Sequence, residues 1–496
     1  MEIWKSIREH FFHDFLNQVE LAEEHPNLKH SDKFLNRLGY GPYQKRLLFF
    51  LIILFLADGC ELIIISIVLP SMTKEWALSS FQRSLVASIV FLGILIGSFI
   101  SPLLADKFGR KNLMLLGSFS IAFFGLTSAY ATIFSLFLSL RFLVGFGIGI
   151  ITPVATSLTI ESIPTYYRSF YLNNLWICFP VGHIFISVIG MLIMPNLEVE
   201  KWQTLVAWAA IPAILGFIFM FFIYESPRFL IANNKIEEGF AIFNKMGAER
   251  NIQLTEEEKE GILQDMKEAG HDDYSLSYVE IFKEPFTQIT IMTWLLWYGV
   301  ALVYYGALFT FPQILMSNAK DNKTQSGVSV FKDIIITSLI YSPFSLVSGY
   351  ISELKFFGRK YSMAFGFGAG VIFAILAYSF PANLPLFNGF MEFGVSMSYI
   401  ILPVYGAEVY PTKIRTLGIG SGYTVTRLGG ITAPYICEFF FAYFNMYTSY
   451  ILFFLVAAAC SFICHKLPYE THQTTLDNVD NMSKEMGLLK SSDFAE

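Results

Sequence analysis

The chain has 496 residues, of which 54% are hydrophobic, 17% aromatic and 15% charged, and its formal net charge is -6. A soluble domain carries about 25% charge and rarely repeats apolar runs of ~20 residues, so the composition excludes a soluble globular fold. The absence of a basic patch also argues against a nucleic-acid partner.

In chain order, residues 1–46 form a polar arm. Its first part, MEIWKSIREHFFHDFLNQVELAEE, reads as an amphipathic helix that would lie on a membrane or bind a protein partner. The arm mixes Asp and Glu with Lys and Arg, unlike an acid-poor mitochondrial presequence, and no short cleavable signal pattern is expected. Twelve apolar runs follow, near 47–70, 84–105, 112–132, 134–160, 170–195, 203–224, 287–316, 333–353, 361–380, 385–407, 416–437 and 446–467. Each can cross a hydrocarbon core of about 30 Å as a helix rising about 1.5 Å per residue. The expected fold is an all-α membrane protein with twelve transmembrane helices in two pseudo-symmetric six-helix halves, 47–224 and 287–467. Between them, 225–286 is a linker with short amphipathic helices, and 468–496 is a polar tail.

Short connections set the orientation. DKFGRK (106–111), TYYR (165–168), LKFFGRK (354–360) and PTKIR (411–415) follow even-numbered spans, whereas the connections near 131, 381 and 443 lack Lys and Arg. The positive-inside rule therefore places the even loops, the linker and both termini on the cytosolic side. A glycosylation sequon, NKT (322–324), falls on the outer side. The five cysteines, Cys60, Cys178, Cys437, Cys460 and Cys464, all lie in spans and form neither a disulfide framework nor a zinc pattern.

Two strings recur. DKFGRK after span 2 returns as KFFGRK after span 8, about 249 residues on, and ESIPTYYR (161–168) returns as EVYPTKIR (408–415), about 247 on. A shared offset for unrelated motifs implies duplicated units. Asp106 and Glu161 close helices where the carbonyl dipole disfavours an anion, while Arg110 and Lys111 open one where the amide dipole disfavours a cation. Each such charge needs an outside partner, and Pro164 turns the chain so that Arg168 can point back to the acid. A cytosolic gate is expected from Asp106, Arg110, Glu161, Arg168, Glu225, Arg228, Arg359, Glu408 and Arg415. The alternative is a static charged loop at the interface.

LLADKFGRK (103–111), RFLVGFGIG (141–149), ESIPTYYR, ESPRFL (225–230) and EVYPTKIR resemble the signatures of the major facilitator superfamily, over roughly 47–470. ESPRFL is similar to strings of the sugar-porter and organic-ion branches. LADGCELIIISIVLP (56–70), WYGVALVYYG (297–306) and EVYPTKIRTLGIGSGYTVTRLGGITAPYI (408–436) most resemble synaptic-vesicle-2-related proteins, neighbours of organic-ion transporters and bacterial nicotinate carriers. The resemblance implies a secondary active transporter of a small organic ion, a carboxylate or other anion favoured, working by alternating access. Protons are the candidate coupling ion and no cofactor or metal is expected. The alternative is a transport-fold receptor or assembly subunit.

Charges deep in spans cost at least ~2.5–3.5 kcal/mol each on insertion scales, which points to function. Asp58 and Glu61 stand i,i+3 on span 1, and span 4 carries Arg141 with Gly145, Gly147 and Gly149. The resemblance sets Glu61 opposite Arg141 and makes Asp58, Glu61 and Arg141 the proton-coupling candidates; a permanently paired trio is the structural alternative. Substrate-binding candidates are Asn174 and His183 on span 5, Trp297, Tyr304 and Tyr305 on span 7, Glu392 on span 10 and Arg427 on span 11. By resemblance, a cation at the span 11 position favours anionic substrates; Glu392 or Glu438 could instead pair with Arg427. Three departures stand out: Pro102 at the first glycine of the loop motif, Lys355 in place of its second-half acid with Glu353 nearby, and Gly389 where relatives keep an arginine. No phosphate-loop, dinucleotide, zinc or nucleophile-elbow string occurs, so no enzyme is expected. Plasma and vesicle membranes are favoured, with organellar membranes, mitochondrial included, left open.

Overall fold

The computed structural model describes residues 28–269, 278–283, 286–321, 326–352, 354 and 357–471. Among the described residues there are helices and no strands. Spans 1 to 4 are Pro42–Trp76, Ser80–Phe108, Arg110–Ser128 and Phe134–Ser162. Span 5 is Thr165–Leu175 with Cys178–Ile193, and span 6 is Trp202–Ala209 with Ile211–Met220. Span 7 is Phe286–Asp321, span 8 is Gly327–Tyr341 with Phe344–Ser352, and spans 9 to 12 are Gly358–Ser379, Leu384–Val409, Thr412–Tyr443 and Ser449–Lys466. Ten spans, flanking short helices included, are long and apolar enough to cross a membrane by length and composition. Spans 3 and 11 fall outside that set because span 3 opens on Arg110, Lys111 and Asn112, and span 11 carries Arg415, Arg427 and many Gly, Ser and Thr residues. Span 3 packs on spans 4 and 6, and span 11 on spans 2 and 7, completing twelve.

Local chemistry sets the ends and breaks. Span 1 begins at Pro42, an N-terminal position where a missing N–H loses nothing. The Gln44 side chain reaches back to accept the Gly41 N–H at 3.2 Å. The interruptions in spans 5, 6 and 8 each precede or abut a proline: Pro180, Pro212 and Pro343. Proline cannot donate to the carbonyl four residues earlier, so each span bends near its middle and leaves backbone polar groups near the protein interior.

The glycines of span 4 hold the first half together. A Cβ on Gly145 would lie 2.1 Å from the Val90 carbonyl oxygen on span 2, and one on Gly149 2.3 Å from that of Ile94. Gly147 instead faces span 3, 2.7 Å from the Gly117 carbonyl by the same construction, and in the second half Gly394 sits 2.5 Å from that of Gly366. These two contacts are counterparts: 147 and 394 are 247 apart, 117 and 366 are 249 apart. The duplication is thus written into the packing. It also corrects the expected counterpart of Arg141, which at the span 4 offset is Asn388 and not Gly389. Gly389 faces Ile340 of span 8.

Pro227–Ala232, Ile236–Ala248 and Glu256–Ala269 form the linker helices, and His30–Leu38 of the arm docks on them. Phe34 meets the Phe243 ring edge-on at 5.3 Å, and Arg37 donates to Glu258 at 2.8 Å. The expected helix over 1–24, the sequon, Glu353, Lys355 and residues 472–496 lie outside the described residues.

Gly145→Val should lower the detergent-solubilised melting temperature, because overpacking of a tight contact costs about 1–3 kcal/mol. Gly368→Ala, where an added Cβ meets nothing within 4 Å, should leave it unchanged.

Candidate functional site

The cytosolic charges form two matching assemblies. In the first half, Arg110 pairs with Glu161 at 3.2 Å and with Asp106 at 3.2 Å. Glu225 lies across the start of span 3 and accepts the Arg110 and Lys111 amides at 2.9 and 3.1 Å. A carboxylate there complements the amide dipole of that helix end. In the second half, Arg359 pairs with Glu408 at 3.2 Å, and Glu470 accepts the Arg359 and Lys360 amides at 2.7 and 3.1 Å. Sequence reasoning missed Glu470, which it left in the polar tail. The signal was present: Tyr224-Glu225-Ser226 returns as Tyr469-Glu470-Thr471, 245 residues on.

The internal pairing of each Glu-x-x-Pro-x-x-x-Arg string is corrected. Arg168 donates to the Ile163 carbonyl at 3.0 Å, and Arg415 to the Tyr410 carbonyl at 3.3 Å. Span 4 ends at Ser162 and span 10 at Val409, so each arginine reaches an adjoining carbonyl at its helix end while the glutamate goes to the arginine of the neighbouring loop. Arg168 and Arg228 both bind Asp32 of the arm helix. Burial alone would push the Asp32 carboxyl up, but the two guanidinium groups outweigh it and hold it below the ordinary carboxylate range.

Within the spans, Glu61 and Arg141 form a fully buried pair at 2.5 Å, with Arg141 over the Phe137 ring at 5.2 Å. Breaking a pair of this kind costs about 3–5 kcal/mol, since a lone charge stays buried. Asp58 does not join it. One Asp58 oxygen is buried without a hydrogen-bond partner, and the cation that acts on it is Arg427 of the other half. Arg427 donates to the Tyr305 hydroxyl at 3.2 Å and lies among Tyr305, Tyr399 and Tyr423. Neither alternative partner holds it: Glu438 pairs with Arg83, and Glu392 accepts from Asn388 at 2.8 Å.

A cavity lies between the halves. Trp176 and Phe179 line it from span 5, and Tyr304, Tyr305, Phe344 and Tyr399 from the second half, with Ser396 and Thr426 as polar points. On the other side of Tyr305 is a second, smaller space, and the Phe91 ring packs on Tyr305 with centroids 4.4 Å apart. Of the sequence-predicted substrate residues, Tyr304 and Tyr305 line the larger cavity. Trp297 is buried against Tyr399 and Tyr423. His183 bonds Tyr341 at 2.8 Å, and Asn174 donates to the Phe170 carbonyl at 2.7 Å; neither lines it. Trp176 and Tyr399 were missed because an aromatic among many reveals its facing only once the break in span 5 and the register of span 10 are known.

The outer side is drawn shut. Arg83 of span 2 grips Glu438 of span 11 with Nε at 2.9 Å and Nη2 at 2.6 Å. Ser84 and Ser88 donate to the carbonyls of Pro434 and Ile431 at 3.3 and 2.7 Å. Among the described residues this is the one salt bridge between the six-helix halves.

Two six-helix halves around a central cavity, closed outside and carrying duplicated cytosolic charge assemblies, define a multi-pass membrane transporter. The match to the family described as sugar (and other) transporter spans residues 22–482, and the chain belongs to that family of the major facilitator superfamily. It is 29% identical over 493 residues to organic cation/carnitine transporter 7 of Arabidopsis thaliana, covering 92% of this chain and 97% of that protein. It is 26% identical over 430 residues to the synaptic vesicle 2-related protein of Bos taurus, covering 81% and 74%. The niacin transporter NiaP of Acinetobacter baylyi is 26% identical over 455 residues, covering 90% and 98%. The inward-open xylose transporter XylE of E. coli has the same fold, with TM-score 0.71 at 17% identity over 88% of this chain and 98% of its own.

Because the Asp32 carboxyl is depressed, its contribution is present above its unfolded value of about 3.9 and is lost as pH falls through the lower folded value. Hydrogen exchange over 30–38 should therefore stay slow at neutral pH and accelerate only in strong acid. Asp32→Asn should make it fast at pH 7. Glu225→Gln and Glu470→Gln should each lower the melting temperature by a similar amount, the loss at each helix start being about 0.5–2 kcal/mol.

Proposed function

We propose that this chain is a secondary carrier that moves a small organic ion bearing a carboxylate by alternating access, with proton movement linked to solute movement. The observation that carries this reading is Arg427, a buried guanidinium bonded to Tyr305 in the wall of an aromatic cavity between the halves. A carboxylate entering the cavity can take up guanidinium donors that Tyr305 leaves unused, while its organic body packs on Trp176, Tyr304 and Tyr399. An aromatic lining with Ser396 and Thr426 as polar points suits a small organic solute. Carnitine and niacin, named in two relatives, both carry a carboxylate.

Proton linkage is assigned to Asp58, Glu61 and Arg141. Asp58 and the solute carboxylate compete for Arg427. When the solute arrives, Asp58 loses its compensating charge and takes a proton from water in the cavity; solute release returns Arg427 to Asp58 and the proton to water. Glu61 lies on the same span as Asp58, and its pair with Arg141 of span 4 fixes the local field. Intact charge assemblies in both halves favour a working carrier over a receptor or assembly subunit, because static anchoring needs no duplicated set.

The test is uptake into proteoliposomes of nicotinate, carnitine and amines lacking a carboxylate, with and without a pH gradient. Carboxylates should be taken up in preference, and Arg427→Ala should reduce their uptake at least about tenfold, the loss of a charge-assisted hydrogen bond being about 1.5–3 kcal/mol. An unaltered charge preference in Arg427→Ala and Arg427→Asp sinks the anion assignment. In Glu61→Gln, gradient-driven uptake should be lost; its persistence unchanged removes the proton assignment.

A further inference from the structure

The two halves handle their deep carboxylates differently. Glu61 in the first half has Arg141 at 2.5 Å. The counterpart of Arg141 is Asn388, which lies one turn before Glu392 on span 10 and donates to it at 2.8 Å. Asn388 is held in turn by the Tyr450 hydroxyl of span 12, which donates to it at 2.8 Å. A hydrogen-bonded triad, Tyr450–Asn388–Glu392, thus stands where the first half has an ion pair. Glu392 is only 4% exposed. Among the described residues Asn388 is its one hydrogen-bond partner, and it forms no salt bridge. A carboxylate buried beside a single neutral amide is expensive to keep charged.

The surroundings that could change are close. The titratable groups facing Glu392 are Tyr304 on span 7, Tyr341 on span 8 and Tyr450 on span 12, all near enough to feel its charge. Span 9 has charge only at its start, Arg359 and Lys360, and Arg427 of span 11 lies among other tyrosines. Tyr304 lines the central cavity. Tyr341 makes the 2.8 Å bond to His183 of span 5, a contact between the halves, and its hydroxyl lies 3.5 Å from that of Tyr304. The Nε2 atom of His183 is buried without a partner, so Tyr341 is the link that holds this ring.

We propose that Glu392 is a second proton-binding carboxyl of the carrier, and that its proton controls the Tyr341–His183 contact between the halves. It rests on the carrier reading above and adds to it a coupling group in the second half, separate from Asp58 and Glu61. With the proton on Glu392, Tyr341 is free to bond His183 and the halves stay joined through spans 5 and 8. When the carboxyl O–H bond breaks, the proton leaves through the Tyr304 side of the cavity to water, and both electrons of that bond remain on the carboxylate. The new charge attracts the Tyr341 and Tyr304 hydroxyls, and the bond to His183 is lost. The solute in the cavity touches Tyr304 and so acts on the same balance.

The experiment uses the full-length protein in lipid and reads two quantities. Infrared difference spectra across a pH titration should contain a protonated-carboxyl carbonyl band that disappears in Glu392→Gln and shifts in frequency in Glu392→Asp. Distances between spin labels on the cytosolic ends of spans 5 and 8 should change with pH in the wild type, and Glu392→Gln should abolish that change. Spectra identical in wild type and Glu392→Gln, or a spin-label response to pH that survives Glu392→Gln, overturn the proposal. If Glu392→Gln does not fold, the Glu392→Asp spectrum alone decides: an unshifted band overturns it. Neither readout needs a transported solute. Failure of nicotinate and carnitine uptake would therefore count against the carrier reading, whereas failure of the spectra would count against Glu392.

Discussion

A charge taken out of water must find its compensation inside the protein, and that requirement organises this molecule. Four arginines at the loop face are met by an acid from a different segment, Arg110 by Glu161, Arg359 by Glu408, and Arg168 and Arg228 by Asp32, while Arg415 is met by the Tyr410 carbonyl. Because no partner lies on the same helix turn, each pair ties two or three chain segments together. Glu225 and Glu470 do the same for the amides at the starts of spans 3 and 9, so the ends of spans 6 and 12 are fastened to neighbouring loops. The cytosolic surface is held by this crossing of charges, within each half. Deeper in the membrane the same requirement leaves one closed pair, Glu61–Arg141, and one loose pair, Asp58 facing Arg427 across the halves. Where compensation is complete the structure is fixed, and where it is partial a solute or a proton can complete it.

Much of this was legible in the sequence, and the reason is physical. Apolar runs, charge placement in short loops and repeated spacing are properties of the chain alone, so the twelve spans, their two halves and the residues of the charged loops could be written down from it. Side-chain partners are not. The sequence places Arg168 seven residues after Glu161 and suggests a pair, yet the nearer free carbonyl at Ile163 takes Arg168. Asp32 was not anticipated because nothing in a polar arm distinguishes the acid that will meet two arginines. Gly389 was taken for the counterpart of Arg141 by motif likeness. The helix contacts of Gly147 and Gly394 fix the register one residue earlier, at Asn388. The second repeat of Tyr-Glu-Ser/Thr was present in the letters but stood at the end of the last span, where a tail was expected.

The departures from symmetry are as informative as the symmetry. The first half spends its deep acid in a salt bridge and its span 4 glycines in tight contact with spans 2 and 3. The second half replaces the arginine by Asn388, moves its acid onto the same helix, and supplies most of the cavity wall. Duplicated frames with unlike interiors let one half act as a rigid base while the other carries the recognition groups. Mid-span breaks next to Pro180 and Pro343 fall in the two spans joined by His183 and Tyr341, where bending would alter the contact between halves at little expense to the rest of either bundle.

Tyr305 stands at the point where these features meet. Its ring separates a larger cavity on the cytosolic side from a smaller one on the outer side, and its hydroxyl is bound by Arg427. Among the described residues, the polar part of the closure between spans 2 and 11 above it is modest: one salt bridge, from Arg83 to Glu438, and two serine bonds to backbone carbonyls. A few such contacts amount to several kcal/mol at most, which is the range in which a conformational equilibrium can be reversed by a ligand. A solute that draws Arg427 away from Tyr305 would loosen the ring from the wall just where it divides the path. On the carrier reading, closure outside and recognition at the centre would be linked through this one side chain.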